Sequence, residues 1–365
     1  MPLLQTARSS VPLVRTVVLL LVAAAVLASC GDDRAAATDP GAVRRVAAFR
    51  CPATAGAGGA AVPLRGRKLR VVTTVAPITS IVANVAGDRA AVQGLIPEGQ
   101  DSHTFEPKPS AARLLADADL VLVNGLDLED PTKELARRRG ARIVELGTAA
   151  LRPDQYLYDF SFPESGGTPN PHLWTNPPMG RCYATVAARA LAAADPANAA
   201  TYRANAAALA AKVDALDAAM RTATAAMPAR SRALLTYHDA YAYFAAHYGW
   251  RVIGAIQVSS FQDPSPKEVA RLIDQVRDQR VRAIFGSEVF PSSVLAQIGR
   301  EAGVRYVDEL RDDDLPGQPG DGAHSYLGLL RFDFATMVGN LGGDPSALAR
   351  LDVGDVVPDR AGYPQ

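Results

Sequence analysis

The sequence predicts an α/β protein of two similar lobes, each built on a mostly parallel sheet, joined by one long helix. Three observations lead there. Short β-branched or apolar runs alternate with helical segments from Leu69 onward, the pattern of strands covered by helices. The same alternation resumes after Ser231. Between the two, "DPANAATYRANAAALAAKVDALDAAMRTATAAMP" (195–228) has no strand signal and is rich in alanine, the best helix former. A length of 365 residues also suits two domains better than one.

In the first lobe, "LRVVTTV" (69–75) reads as a strand and "ITSIVANVAG" (78–87) as a helix stopped by glycine. "AAVQGLI" (90–96) is the next strand, and "PSAARLLADA" (109–118) a helix opened by proline. "DLVLVNG" (119–125) is nearly all apolar, as a strand buried on both faces is. "PTKELARRRG" and "RIVEL" (142–146) add a helix and a strand. In the second lobe, strands are predicted at 232–237, 251–257, 281–287 and 304–310, and helices at 240–249, 265–280 and 293–303. A last helix starts near His324. The connecting helix is capped by Asp195-Pro196 and ends at Met227-Pro228. No heptad of large apolar residues makes it a coiled coil.

The N-terminus carries a separate signal. Arg8 and Arg15 precede an uncharged run, Thr16–Ser29, of secretory-signal length and too short for a membrane span. Leu27-Ala28-Ser29-Cys30 is similar to a bacterial lipobox, so Cys30 is the expected lipidation site and residues 1–29 the signal peptide. Residues 30–67 are Ala/Gly-rich and read as a flexible tether. The remaining divisions are the first lobe at 68–178, the connecting segment at 179–229, the second lobe at 230–345 and a C-terminal tail at 346–365. Cys51 and Cys182 can pair in an exported protein or remain free thiols. The 38 basic and 38 acidic side chains leave a formal charge of zero, which argues against nucleic acid as a partner.

The chain has five histidines. His103 lies in "IPEGQDSHTFEPKPS", after a predicted strand, and His238 directly follows another. These are the carboxyl ends of strands, where open α/β sheets bind ligands. His172 sits in the Pro-rich loop "GGTPNPHLWTNPP", where the prolines limit freedom and Trp174 packs beneath. His324 opens the last helix. His247 lies near a helix C-terminus and reads as structural. Taken singly, a loop histidine is ordinarily a solvated residue. Neither an HExxH motif nor a CxxC pair is present.

The segment "VVTTVAPITSIVANVAGDRAAVQGLIPEGQDSHTFEPKPSAARLLADADLVLVNGLDLE" (71–129) closely resembles the start of the bacterial zinc/manganese solute-binding proteins. These are the extracytoplasmic metal receptors of ABC importers, cluster A-I. The resemblance continues through "NPHLWTNP" (170–177), "LLTYHDAYAYFAAHYG" (234–249), "IFGSEVFPS" (284–292) and "AHSYLGLLRFD" (323–333), covering most of 69–341. It implies two α/β lobes with a metal site between them, and no enzymatic activity. It places metal ligands at His103, His172 and His238. The fourth position, usually an aspartate before Ser/Thr-Tyr, falls on His324, with Asp321 as the alternative. Asp101, Glu106, Asp239 and Glu288 are candidates for orienting the imidazoles.

Four imidazoles would suit tetrahedral Zn²⁺ better than Mn²⁺, which favours carboxylate and water oxygen. The expectation is a monomeric receptor, lipid-anchored outside the cytoplasmic membrane, that passes Zn²⁺ to an ABC permease. A manganese receptor of the same family is the alternative. A zinc hydrolase is disfavoured because four protein ligands leave no position for water. A metal-independent surface protein is the remaining possibility.

Overall fold

The computed structural model describes residues 39–55, 59–257, 264–287 and 292–364. The signal peptide and Cys30 lie outside the described residues, as does Glu288. Among the described residues no helix is long and apolar enough to cross a membrane.

The two lobes have the same plan. The first sheet contains β1 (Leu69–Thr73), β2 (Ala90–Gly94), β3 (Leu120–Val123) and β4 (Ile143–Glu145), in the order β2-β1-β3-β4. The second contains β5 (Ala233–Thr236), β6 (Arg251–Ala255), β7 (Ala283–Ser287) and β8 (Arg305–Leu310), in the order β6-β5-β7-β8. Every pairing within them is parallel. Parallel strands need crossovers. The first lobe supplies α2 (Ala76–Ala86), α3 (Pro109–Asp117) and α4 (Asp130–Arg138), followed by the short α5 (Leu146–Ala150). The second supplies α8 (Ala242–Tyr248), α9 (Pro266–Gln279) and α10 (Ser293–Ala302). The all-apolar run of β3 is fully buried, as its composition requires.

Two consecutive helices, α6 (Pro177–Ala194) and α7 (Ala199–Ala226), form the connection and pack on each other. The 28 residues of α7 span about 42 Å at 1.5 Å per residue. Its buried stripe is Tyr202, Ala206, Leu209, Val213, Leu216, Met220 and Ala223, spaced three and four apart. The helix packs against α2 of the first lobe, and against α11 (Tyr326–Asn340) and α12 (Ser346–Ala349) of the second. Asp217 on α7 accepts from His247 Nε2 (2.7 Å) and the Tyr248 hydroxyl (2.8 Å), so His247 ties α8 to the connecting helix.

The structure corrects the reading at the α6 helix and the tether, and decides between the alternatives left open for the cysteines. The helix α6 was not foreseen; its Pro177-Pro178 start, favourable at the first helical positions, reads as part of the Pro-rich loop. The tether is shorter than 30–67. Asp39 caps α1 (Pro40–Ala47), and Ala42, Val46 and Phe49 are buried against the body. Cys51 and Cys182 are joined by a disulfide with Cα atoms 5.3 Å apart. The C-terminal tail is also docked. Gly362 donates to the Val92 carbonyl (3.0 Å) and its own carbonyl accepts from Gly94 N–H (2.8 Å), at the free edge of β2.

Candidate metal centre

Four side chains from loops meet between the lobes, three of them from loops that follow β2, β5 and β8. They are His103, His172, His238 and Asp313, whose ligating atoms lie within 4.8 Å of one another. His103 Nε2 is 3.0 Å from His172 Nε2 and 3.1 Å from His238 Nε2. His172, His238 and Asp313 are buried, and His103 is partly exposed.

Each group is held by its own loop. His103 follows β2 in a turn where Asp101 Oδ1 accepts its backbone N–H (2.9 Å). His172 is positioned by Asn170, whose Oδ1 accepts both the His172 backbone N–H (3.0 Å) and Nδ1–H (2.8 Å). The Asn170 amide nitrogen donates in turn to Asp159 Oδ2 (3.0 Å) and to the Asp239 carbonyl (2.7 Å). Burial and the neighbouring Asp239 carboxylate push Asp159 well above the usual carboxyl range. Asn124, at the end of β3, donates to the Pro171 carbonyl (3.0 Å) and fixes the same loop from the other side.

His238 follows β5, and its Nδ1 lies 3.0 Å from Asp312 Oδ2. Asp312 is itself held by Ser287 Oγ (3.2 Å), and its carbonyl accepts from Trp174 Nε1 (2.8 Å). The Trp174 ring packs edge-on against His172 and is fully buried, which is the packing role its position implied. Asp313 follows β8 and Asp312. Its Oδ2 accepts from Ser102 Oγ (2.6 Å), while its Oδ1 is buried with no hydrogen-bond partner.

That arrangement is unfavourable unless something positive sits within it. With Nδ1 of His172 directed at an acceptor, its Nε2 lone pair faces inward, against the Nε2 atoms of His103 and His238. A buried carboxylate oxygen without a donor adds to the cost. A divalent cation would satisfy all four groups at once. Electrostatics agree. Burial and the adjacent His238 hold His103 and His172 well below the usual imidazole range. Burial pushes Asp313 up to about 7. For His238, burial acts downward most strongly, but the Asp312, Asp313 and Asp101 carboxylates together outweigh it, raising the group to about 9. Without a metal, a proton on His238 supplies the positive charge.

Beside His103 a cavity of about 390 Å³ leads out between Leu126, Phe162 and Pro171. Its wall includes two left-handed residues, Leu126 (φ 54°) and Asp127 (φ 62°). Glu129 pins this turn by accepting from the Asn124 (2.8 Å) and Gly125 (3.0 Å) backbone N–H groups.

The sequence between residues 71 and 339 matches the family model described as the zinc-uptake complex component A, periplasmic. The chain belongs to that family. Among its relatives is the iron-binding protein YfeA of Yersinia pestis, 30% identical over 76% of this chain and 87% of the relative. The manganese-binding lipoprotein MntA of Halalkalibacterium halodurans is 27% identical over 76% of this chain and 89% of its own length. The periplasmic zinc-binding protein TroA of Treponema pallidum shares the fold with a TM-score of 0.68 and 26% identity, over 75% of this chain and 99% of that one. The family is one of solute-binding components, and the metals named for its members differ.

Three of the four expected ligands therefore meet, and the fourth position is corrected. His324 is buried elsewhere, with Nε2 2.9 Å from Glu98 Oε1. Asp321 is exposed and accepts from Gln318 N–H (2.9 Å). Asp313 occupies the place assigned to them. Of the orienting candidates, Asp101 and Asp239 act on the His103 and His172 loops, whereas Glu106 is exposed. Asn170, Asp312 and Asp313 were missed. The run "RDDD" directly after a strand was the available signal, since that is where α/β sheets place ligand groups.

Proposed function

We propose that this chain is an extracytoplasmic receptor that captures Zn²⁺ and hands it to an ABC permease, anchored by lipid on Cys30. The convergence of three imidazole Nε2 atoms and one carboxylate carries the reading. Three nitrogens and one oxygen in a compact group suit four-coordinate zinc. Three of the four groups also have the kind of outer partner that zinc sites use to fix ligand orientation: Asn170 for His172, Asp312 for His238, Ser102 for Asp313. Four protein ligands leave no position for an attacking water, so the receptor reading is favoured over a hydrolase.

Manganese is the competing cargo, because relatives carry that name and because Asp313 has a second oxygen to offer. Metal analysis of protein purified from its native cell decides between them. Zinc at one equivalent is expected. Manganese or copper as the dominant metal would overturn the assignment.

A further inference from the structure

His324 is fully enclosed, lies outside the four-residue cluster, and spans the two lobes. Its side chain is 1% exposed, and its Nε2 donates to Glu98 Oε1 of the first lobe at 2.9 Å. Glu98 begins the loop that ends in His103. The same loop is tied to the second lobe twice more: Gly99 N–H donates to Asp314 Oδ2 (2.8 Å), and Ser102 Oγ to Asp313 Oδ2 (2.6 Å). The C-terminal strap closes over this point from outside. The Tyr363 ring stands perpendicular to His324 with centroids 4.8 Å apart, and Glu98 N–H donates to the Pro364 carbonyl (3.3 Å).

We propose that His324 is a positioning residue: through Glu98 it clasps the His103 loop to the second lobe and so sets how slowly the bound cation is lost. The cation cannot leave while His103 and Asp313 face each other across the lobes. Moving His103 away requires the loop to leave the second lobe, and the partly buried His324–Glu98 bond resists that step. Ser102–Asp313 resists it as well but sits on a ligand, whereas His324 touches none of the cluster. Release at the permease is then a matter of opening this clasp. The inference rests on the metal-receptor reading.

Stopped-flow release of zinc into a chelator, together with cobalt-substituted absorption spectra, tests it. His324→Ala should raise the dissociation rate about tenfold, the loss of one partly buried hydrogen bond to a carboxylate. Stoichiometry and the cobalt ligand-field bands should not change. Glu98→Ala should give the same increase, and the double variant no more than either alone. His324→Gln, whose amide can still donate to Glu98, should restore slow release. An unchanged dissociation rate in Glu98→Ala, or in His324→Ala with only its metal-free melting temperature lowered, would overturn the clasp alone. Altered cobalt bands in His324→Ala would make His324 a ligand and overturn it too. An unmodified chain that binds neither zinc nor cobalt would overturn the receptor reading and the clasp with it.

Discussion

At the scale of single residues, the metal centre is a place where protons and a cation compete. His238 is raised to about 9 and Asp313 to about 7, so at neutral pH the metal-free site holds one proton on His238 and part of another on Asp313. Both must leave when metal binds. His103 and His172 are already depressed and neutral, and contribute nothing to this exchange near neutrality. The logarithm of the zinc affinity should therefore rise with pH, with a slope of ~2 below pH 7, ~1 between 7 and 9, and ~0 above. Titration calorimetry in buffers of different ionisation enthalpy reads the same protons directly; heats independent of the buffer would contradict the assignment. His238→Ala should lower zinc affinity by more than 100-fold, because it removes one of the four proposed ligands. Asp312→Asn should cost roughly 10–100-fold through loss of ring orientation alone. Competition with a chelator of known affinity measures both.

At the scale of elements, the connecting helix α7 is the shared wall of the two lobes. Its alanine content makes it a helix without outside help, but its few large apolar residues do the packing. Leu216→Ala should destabilise the protein by about 2–5 kcal/mol in denaturant unfolding, as buried leucines do. Zinc affinity of the folded fraction should stay within about twofold, since the residue is far in sequence from every ligand loop. A large affinity loss would mean that α7 sets the site geometry as well as the stability. The elements were largely legible in advance. Parallel strands read as apolar runs and their crossovers as capped helices, so predicted bounds differ from observed ones by one to three residues at most ends. The helix α6 was hidden because prolines mark both loops and helix starts.

At the scale of the whole molecule, the N-terminal segment and the C-terminal strap wrap a two-lobe body. The Cys51–Cys182 disulfide closes a separation of 131 residues. Cys51→Ser should lower unfolding stability by about 2–5 kcal/mol, and reductant should act on the unaltered protein but not on the variant. Equal sensitivity of both to reductant would show that the bond is not formed in solution. A rigid α7 packed on both lobes limits how far they can separate. Small-angle scattering should find radii of gyration for metal-free and zinc-loaded protein that differ by less than about 1 Å out of the roughly 20 Å expected for this size. A larger change would mean that the lobes open about a hinge.

The sequence by itself determined the α/β alternation, the all-helical connection and three histidines at loop positions, because strand burial, helix propensity and strand-end ligands all leave local patterns. Only the tertiary structure decided which side chains meet. His324 and Asp313 lie eleven residues apart, both near the mouth of the second lobe, and nothing local says which one turns toward His238. The choice is made by the neighbours. Ser102 draws Asp313 inward, while Glu98 and Tyr363 enclose His324 at the lobe junction. Those partners come from chain segments more than two hundred residues away or from the far C-terminus, and such contacts leave no period to read.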